Sequence, residues 1–539
     1  MSLARLNVGS SRYIASAPPR VADGWVLERV TPPSRLFGAN GLRTAPDGRI
    51  LVAQVTGSQI SALEVNSGEL STISAKGGDI VAPDDLAFGP SGDLYVTEVM
   101  DGRVSVVDDA GRGRIIRADI PSANGITFHE GRLFVGEFRE SGRILELDLS
   151  GGEPRVLLEN VPMPNAMEVG PDGLLYFPVL GANEIWRVHP DGGTPETVAT
   201  GLGLPDAVKF DTKGNIVSTQ IQSGEVLRVD PRNGDQTVLA ALHPGLDNLT
   251  FVGDRLFVSS FTGEITEILA SGAARSVLPG GLNGPLDLTV GADGELYVSD
   301  GSHLYSYSPK SESGLRSVAM LFTPGYPGFL RGLTASGPGE LTVTTTTGQI
   351  RRYRPQDAET DLIAEGFDQL YGVAVTRDGV AIVAELGAGR LLAIQGSDVK
   401  VLASGLDDPV GVAVTGKDQY LVSEAGAGRV VRVTGSGVVP VIEGLERPHG
   451  ILVRDGHLYV VDAGARSLVA VDLETGALST IVSELPVGFP PDVVPKPLRG
   501  IPPFTGPQGP FAGIAAAPDG KLYISADAEG SLLALRRLP

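Results

Sequence analysis

The sequence predicts an all-β protein built as two tandem six-bladed β-propellers of four-stranded blades. Three observations carry that reading. A short phrase recurs twelve times along the 539 residues. No sustained helical periodicity separates the recurrences. The 72 glycines and 39 prolines are spread over the whole length, as closely spaced turns require.

The phrase is a small residue, an apolar triplet, a turn such as Pro46-Asp47-Gly48, then an apolar strand. It anchors at Gly41, Asp85, Gly125, Ala166, Ala207, Asn248, Asp287, Gly332, Gly372, Gly411, Gly450 and Gly513. The steps are about 40 residues, the length of one propeller blade. The one long step contains a Pro/Gly-rich insertion at 486–510. Blade two illustrates the unit, with strands expected over 85–88, 94–98, 103–107 and 114–117. Twelve blades exceed the usual four to eight of one ring, so the chain divides into two. An outer-strand pattern at 25–30 precedes the first unit, and the last unit lacks a fourth strand. We expect 25–30 to complete blade six and 275–278 to complete blade twelve, hiding both sheet edges. The expected domains are an N-terminal extension 1–23, a first propeller 24–272 and a second propeller 273–539.

Charged residues make up 20% and hydrophobic residues 42%, which excludes a disordered chain. Forty-three basic residues face 64 acidic ones, a net charge of −21. Such a chain repels phosphate backbones and anionic lipid, so neither nucleic acid nor a membrane is expected as partner. The absence of cysteine excludes disulfides, thiolate metal sites and cysteine nucleophiles. No apolar run is long enough for a transmembrane helix, and the first residues show no secretory pattern, so a cytoplasmic protein is expected. Oligomeric state is not written in the sequence.

The residue before each anchor faces one mouth of the central channel. In the first ring these are Asn40, Asp84, Asn124, Asn165, Asp206 and Asp247, all Asn or Asp. Asp85 and Asn248 add further oxygens. Converging carboxylates repel each other and raise their pKa values, a cost that a hard cation removes. Oxygen-only donors suit Ca²⁺, with Mg²⁺ or Mn²⁺ as lesser candidates. Asn and Asp also cap turns throughout such folds, but the second ring has the same turns without the same residues.

The phrases Asn124-Gly125, Pro164-Asn165 and Pro205-Asp206 resemble those of the senescence-marker-protein, gluconolactonase and luciferin-regenerating-enzyme superfamily. Paraoxonases and diisopropylfluorophosphatase share that architecture. The resemblance implies a divalent metal held by residues at the positions of Asn40, Asn124, Asn165 and Asp206. The family has Glu where this chain has Asn40, which leaves Asp84 or Asp247 to restore the charge. Asp247-Asn248 is similar to a pair in paraoxonases. The second ring resembles NHL-type repeats, as at Leu458-Tyr459-Val460-Val461-Asp462.

The corresponding second-ring positions are Leu286, Arg331, Tyr371, Val410, His449 and Ala512. Arg331, Tyr371 and His449 form an alternative substrate pocket, offering an anion-binding cation, a phenol donor and a titratable ring. Two loops, 323–329 and 486–510, with the residue that follows, carry Tyr326, Phe329, Phe489, Phe504 and Phe511, as a lid over an apolar pocket would. Among the histidines, His243 lies four residues before Asp247 and is the candidate general base. His449 is axial, His303 and His457 lie on strands, and His129 and His189 fall in outer turns. Glu98, Glu137, Glu385 and Glu424 are each followed by an arginine at five or six residues, in both rings, which reads as a structural pair across a hairpin. No Gly-x-Ser-x-Gly elbow or Walker loop is present.

These features read as a metal-dependent hydrolase of lactone or related ester type, acting on a small molecule, with Asp206, Asp247 and His243 as water-activating candidates. The alternatives are a lyase or isomerase on the same scaffold, which resembles virginiamycin-lyase-like propellers, and a non-catalytic NHL-type binding protein.

Overall fold

The computed structural model describes residues 12–13, 17–308, 314–491 and 493–538. The expected N-terminal extension 1–23 lies largely outside the described residues. Among the described residues there are twelve antiparallel sheets, one per sequence repeat, six in each of two compact units. One unit is Arg35–Gly281, the first ring; the other comprises Leu282–Pro539 together with the segment that ends at Ser34, the second ring.

In the first ring each blade uses four consecutive strands. Blade two is Pro83–Phe88, Leu94–Glu98, Arg103–Val107 and Gly113–Arg117, as the turns in the sequence require. Second strands such as Ile50–Gln54 are buried at every position, because neighbouring blades cover both faces. Fourth strands such as Gln236–Ala241 lie at the rim and are mostly exposed.

The expected exchange of outer strands is corrected by the pairing. Ala274–Leu278 stays beside Ile265–Ile268 as the fourth strand of blade six. Trp25–Arg29 pairs instead with Ser531–Arg537, with Trp25 opposite Arg537 and Arg29 opposite Leu533. The physical reason is strand demand. Blade six already has its four strands in sequence, whereas the last blade has three, so one borrowed strand satisfies both rings. The boundary accordingly falls at Gly281, not near 272. Arg20–Val21 adds a fifth strand to the blade of Pro448–Arg454, His457–Asp462, Ser467–Asp472 and Leu478–Ser483.

Three repeated contacts hold the blades in register. The anchor glycines pass close to the next blade: a Cβ on Gly450 would stand 2.6 Å from the Ala512 carbonyl oxygen, and one on Gly372 equally close to that of Val410. A hydroxyl on the second strand bridges inner strands. Ser423 Oγ accepts from the Gly411 amide at 2.7 Å and donates to the His449 carbonyl at 2.6 Å. Thr344 Oγ1 does the same for Gly332 and Tyr371, at 2.8 and 2.6 Å. An acceptor at the end of the second strand holds the loop arriving from the previous blade: Gln54 takes the Phe37 amide, Glu385 that of Asp368 and Glu424 that of Asp407. The Glu–Arg pairs read from the sequence serve this latch. Arg103 reaches Glu98 at 2.6 Å, Arg143 reaches Glu137 at 2.5 Å, and Arg390 and Arg429 reach Glu385 and Glu424 at 2.6 Å each.

Candidate metal centre

The six mouth residues of the first ring precede or open the innermost strands, so one enters from each blade. Asn124, Asn165, Asp206 and Asp247 are buried, whereas Asn40 and Asp84 are partly exposed. Two amide–carboxylate pairs form. Asn165 Nδ2 donates to Asp206 Oδ1 at 2.7 Å, and Asn40 Nδ2 donates to Asp247 Oδ2 at 3.0 Å. The amide oxygens of these two are also in use, Asn165 Oδ1 by the Ala166 amide and Asn40 Oδ1 by that of Val55. Asn124 Oδ1 differs: it is buried and accepts no hydrogen bond.

The carboxylates are electrostatically costly. Burial raises the pKa of Asp84 to about 8, with Asp85 adding repulsion. Burial, then Asp84 and Asp85, push Asp206 well above the carboxylate range, against the Asn165 amide. Burial, then Asp206 and Asp84, do the same to Asp247. Among the described residues no three His, Cys, Asp or Glu side chains form a ready cage for an ion. A cation at this mouth therefore needs amide oxygens beside the carboxylates, and Asn124 offers one that nothing else uses.

Asp85 stands one layer below. Its Oδ1 accepts from the Leu86 amide at 2.8 Å and its Oδ2 from the Ile126 amide at 3.2 Å. Asn248 Nδ2 lies 3.5 Å from the same Oδ1. The carbonyls of Leu86 and Ile126 are held in turn by Arg43, at 2.7 and 3.2 Å.

The sequence reading missed the layer to which Arg43 belongs. Arg43 and Lys209 both reach Glu168 Oε2, at 3.0 and 2.7 Å. Burial alone would raise the Glu168 pKa, but Lys209 and Arg43 overcome it and hold the carboxyl down at about 2. Thr127 donates to Glu168 Oε1 at 3.3 Å, and Thr44 and Thr250 meet at 2.9 Å. Arg43, Thr127, Glu168, Lys209 and Thr250 each lie three positions after a mouth residue, and that shared offset is the signal that finds them in the sequence.

His243 is exposed on the loop before blade six, and no hydrogen bond or ion pair within the described chain orients its ring. In the second ring, Arg331, Tyr371 and His449 are buried around an apolar cluster of Leu286, Val410 and Phe511. The aromatic residues expected as a lid are divided among packing sites. Tyr326 packs edge-on against Tyr353, Phe504 against Phe322, and Phe511 lies within the mouth. His303 is buried and stacked on Tyr305.

No curated protein matches the chain. Among solved structures, a streptogramin B lyase is 18% identical, covering 51% of this chain and 94% of its own, with a TM-score of 0.39. Virginiamycin B lyase from Staphylococcus aureus is 15% identical, covering 52% and 95%, with a TM-score of 0.37. A gluconolactonase from Xanthomonas campestris is 14% identical, covering 48% and 97%, also with a TM-score of 0.37. Residues 26–262, which hold nearly all of the first ring and its ring of Asn and Asp, match the family described as the SMP-30/Gluconolactonase/LRE-like region.

Proposed function

We propose that the first ring is a metal-dependent hydrolase of lactones or related esters of small organic molecules. The family match over residues 26–262 supports the lactonase-like class. The observation that carries the metal is Asn124, a buried amide oxygen with no hydrogen bond, set among carboxylates whose pKa values burial and mutual repulsion raise. Asn124, Asn165, Asp206 and Asp247 would hold the ion, with Asp84 adding charge. Asn40 orients Asp247. Ca²⁺ is the first choice for such oxygens, ahead of Mg²⁺ and Mn²⁺. When bound, the cation supplies Lewis acidity toward a carbonyl oxygen.

The chain's own residues do the rest. Asp206 and Asp247 each have one oxygen held by an amide N–H and a second oxygen with no hydrogen bond in the described chain. That second oxygen can take a proton from water as the water adds to the carbonyl carbon. The proton then passes to the departing alkoxide, and acid and alcohol are left in one opened ring. Asp85, strapped through Leu86 and Ile126 to Arg43, keeps the inner strands of neighbouring blades in register beneath the site.

The test is lactone hydrolysis followed in a pH-stat with Ca²⁺ present. Asp206→Ala and Asp247→Ala should each lower kcat/KM by about 10²-fold or more. His243→Ala should change little, because nothing orients that ring. Absence of turnover across small lactones and esters, or full activity in Asp206→Ala, would overturn the proposal.

A further inference from the structure

The mouth of the second ring holds a cation with no anion. Arg331 is buried, with 1% of its surface exposed. No carboxylate pairs with it among the described residues. One guanidinium nitrogen donates to the Leu370 carbonyl at 3.0 Å and another to the Pro507 carbonyl. Its Nε is buried and has no acceptor at all. The guanidinium carbon lies over the Tyr371 ring, 4.1 Å from its centre. Burying a charge without a counter-charge is expensive, and two neutral carbonyls compensate only in part.

The neighbouring polar groups are also donors. The Tyr371 hydroxyl makes no hydrogen bond within the described chain. His449 accepts the Ala512 amide on Nδ1 at 3.2 Å, which places its proton on Nε2, and that N–H has no partner there either. Burial, then Arg447, push the His449 pKa down to about 3, so the ring is neutral. Phe511 stacks on His449 and meets Tyr371 edge-on, with centres 6.0 and 6.1 Å apart. Leu286 and Val410 complete the apolar wall. Donors from three blades therefore converge on one mouth, and among the described residues no acidic side chain receives them.

We propose that this mouth binds a small organic carboxylate with an apolar body, independently of the first-ring centre. The carboxylate would take Arg331 and the Tyr371 hydroxyl, as planar guanidinium groups favour. The apolar body would lie against Phe511, Leu286 and Val410. The Pro507 carbonyl, on the segment inserted at 486–510, occupies part of the guanidinium and would yield its place to the ligand oxygen.

Isothermal titration with benzoate tests this, using benzyl alcohol as the uncharged comparison and EDTA-treated full-length protein. Benzoate should bind with a Kd of about 1 mM or tighter, and benzyl alcohol at least about tenfold more weakly. Arg331→Lys should weaken benzoate at least about tenfold, since a point charge cannot replace the fork. Gly509→Ala provides a second variant that leaves the cation in place, because its Cβ would stand 2.5 Å from the Tyr371 hydroxyl. It should weaken benzoate while leaving the circular dichroism spectrum unchanged. Asp206→Asn, in the other ring, should leave the affinity intact. Absence of benzoate binding, equal binding of benzyl alcohol, wild-type affinity in both second-ring variants, or loss in Asp206→Asn would each overturn the proposal.

Discussion

Asn165 Nδ2 donates to Asp206 Oδ1 at 2.7 Å, so an amide from blade four fixes a carboxylate from blade five. The pair aims the other Asp206 oxygen without neutralising its charge. Added Ca²⁺ should therefore raise the melting temperature of EDTA-stripped protein. At a hundredfold excess over Kd the gain is about 2.7 kcal/mol. Asp206→Ala and Asn124→Ala should abolish most of that response, and Asn165→Ala should reduce it. Differential scanning fluorimetry with and without Ca²⁺ is the check. A melt that ignores both chelator and calcium would remove the metal from the site.

The same carboxylates set a pH dependence. Asp84, Asp206 and Asp247 bind protons more tightly folded than unfolded. Their contribution to stability is thus fully present below the ordinary carboxylate pKa and is lost as pH rises through about 8, the folded value of Asp84. Metal-free protein should melt at a lower temperature at high pH than in mild acid. Saturating Ca²⁺ should flatten that slope, because the cation takes over from the protons. Melting curves across the range, with and without calcium, read both effects.

Glu168 titrates in the opposite sense. Its pKa is held down at about 2, so its contribution is present above the ordinary glutamate value and is lost as pH falls toward 2. Glu168→Gln leaves Arg43 and Lys209 buried without their shared anion. The expected cost is about 3–5 kcal/mol by urea denaturation. Removing the exposed partner Asp108 from Arg112 should cost far less, because water screens that pair.

The borrowed strand gives a fourth outcome. Leu27 is buried beside Leu535 and Ile524 in the second ring. Leu27→Ala should destabilise that ring by about 2–5 kcal/mol while sparing the first. Calorimetry with limited proteolysis of the partly melted protein would identify the ring that opens. Opening of the first ring would contradict the strand pairing.

The blade count and the mouth residues were legible because they recur at a fixed position along the repeats, and the Glu–Arg latches because four repeats carry them at the same place. The Asn-Gly phrase is a packing requirement: the glycine passes a neighbouring carbonyl with no room for a Cβ, and the residue before it is left at the mouth. The ownership of the two rim strands was not legible. Segments 25–29 and 274–278 both read as outer strands in the sequence, and only the count of strands already in each blade distinguishes their partners. The Arg43–Glu168–Lys209 cluster escaped because its members are complementary rather than alike. A search for repeated residues overlooks a position that holds Arg43, Glu168 and Lys209 in three blades and alanine or threonine in the others. Arg331 was visible as an axial cation, but its lack of a counter-charge is a property of three dimensions.

The pairing of Trp25–Arg29 with Ser531–Arg537 also bears on synthesis. Trp25–Arg29 is made before the first ring, whereas its partner Ser531–Arg537 is made after it. The whole of the first ring, from Arg35 to Gly281, is made in between and has every strand it needs once it has emerged. It can fold while translation continues, whereas Trp25–Arg29 must wait for Ser531–Arg537 to arrive. A chaperone that shields Trp25–Arg29 during that interval would speed maturation of the second ring and leave the first unaffected.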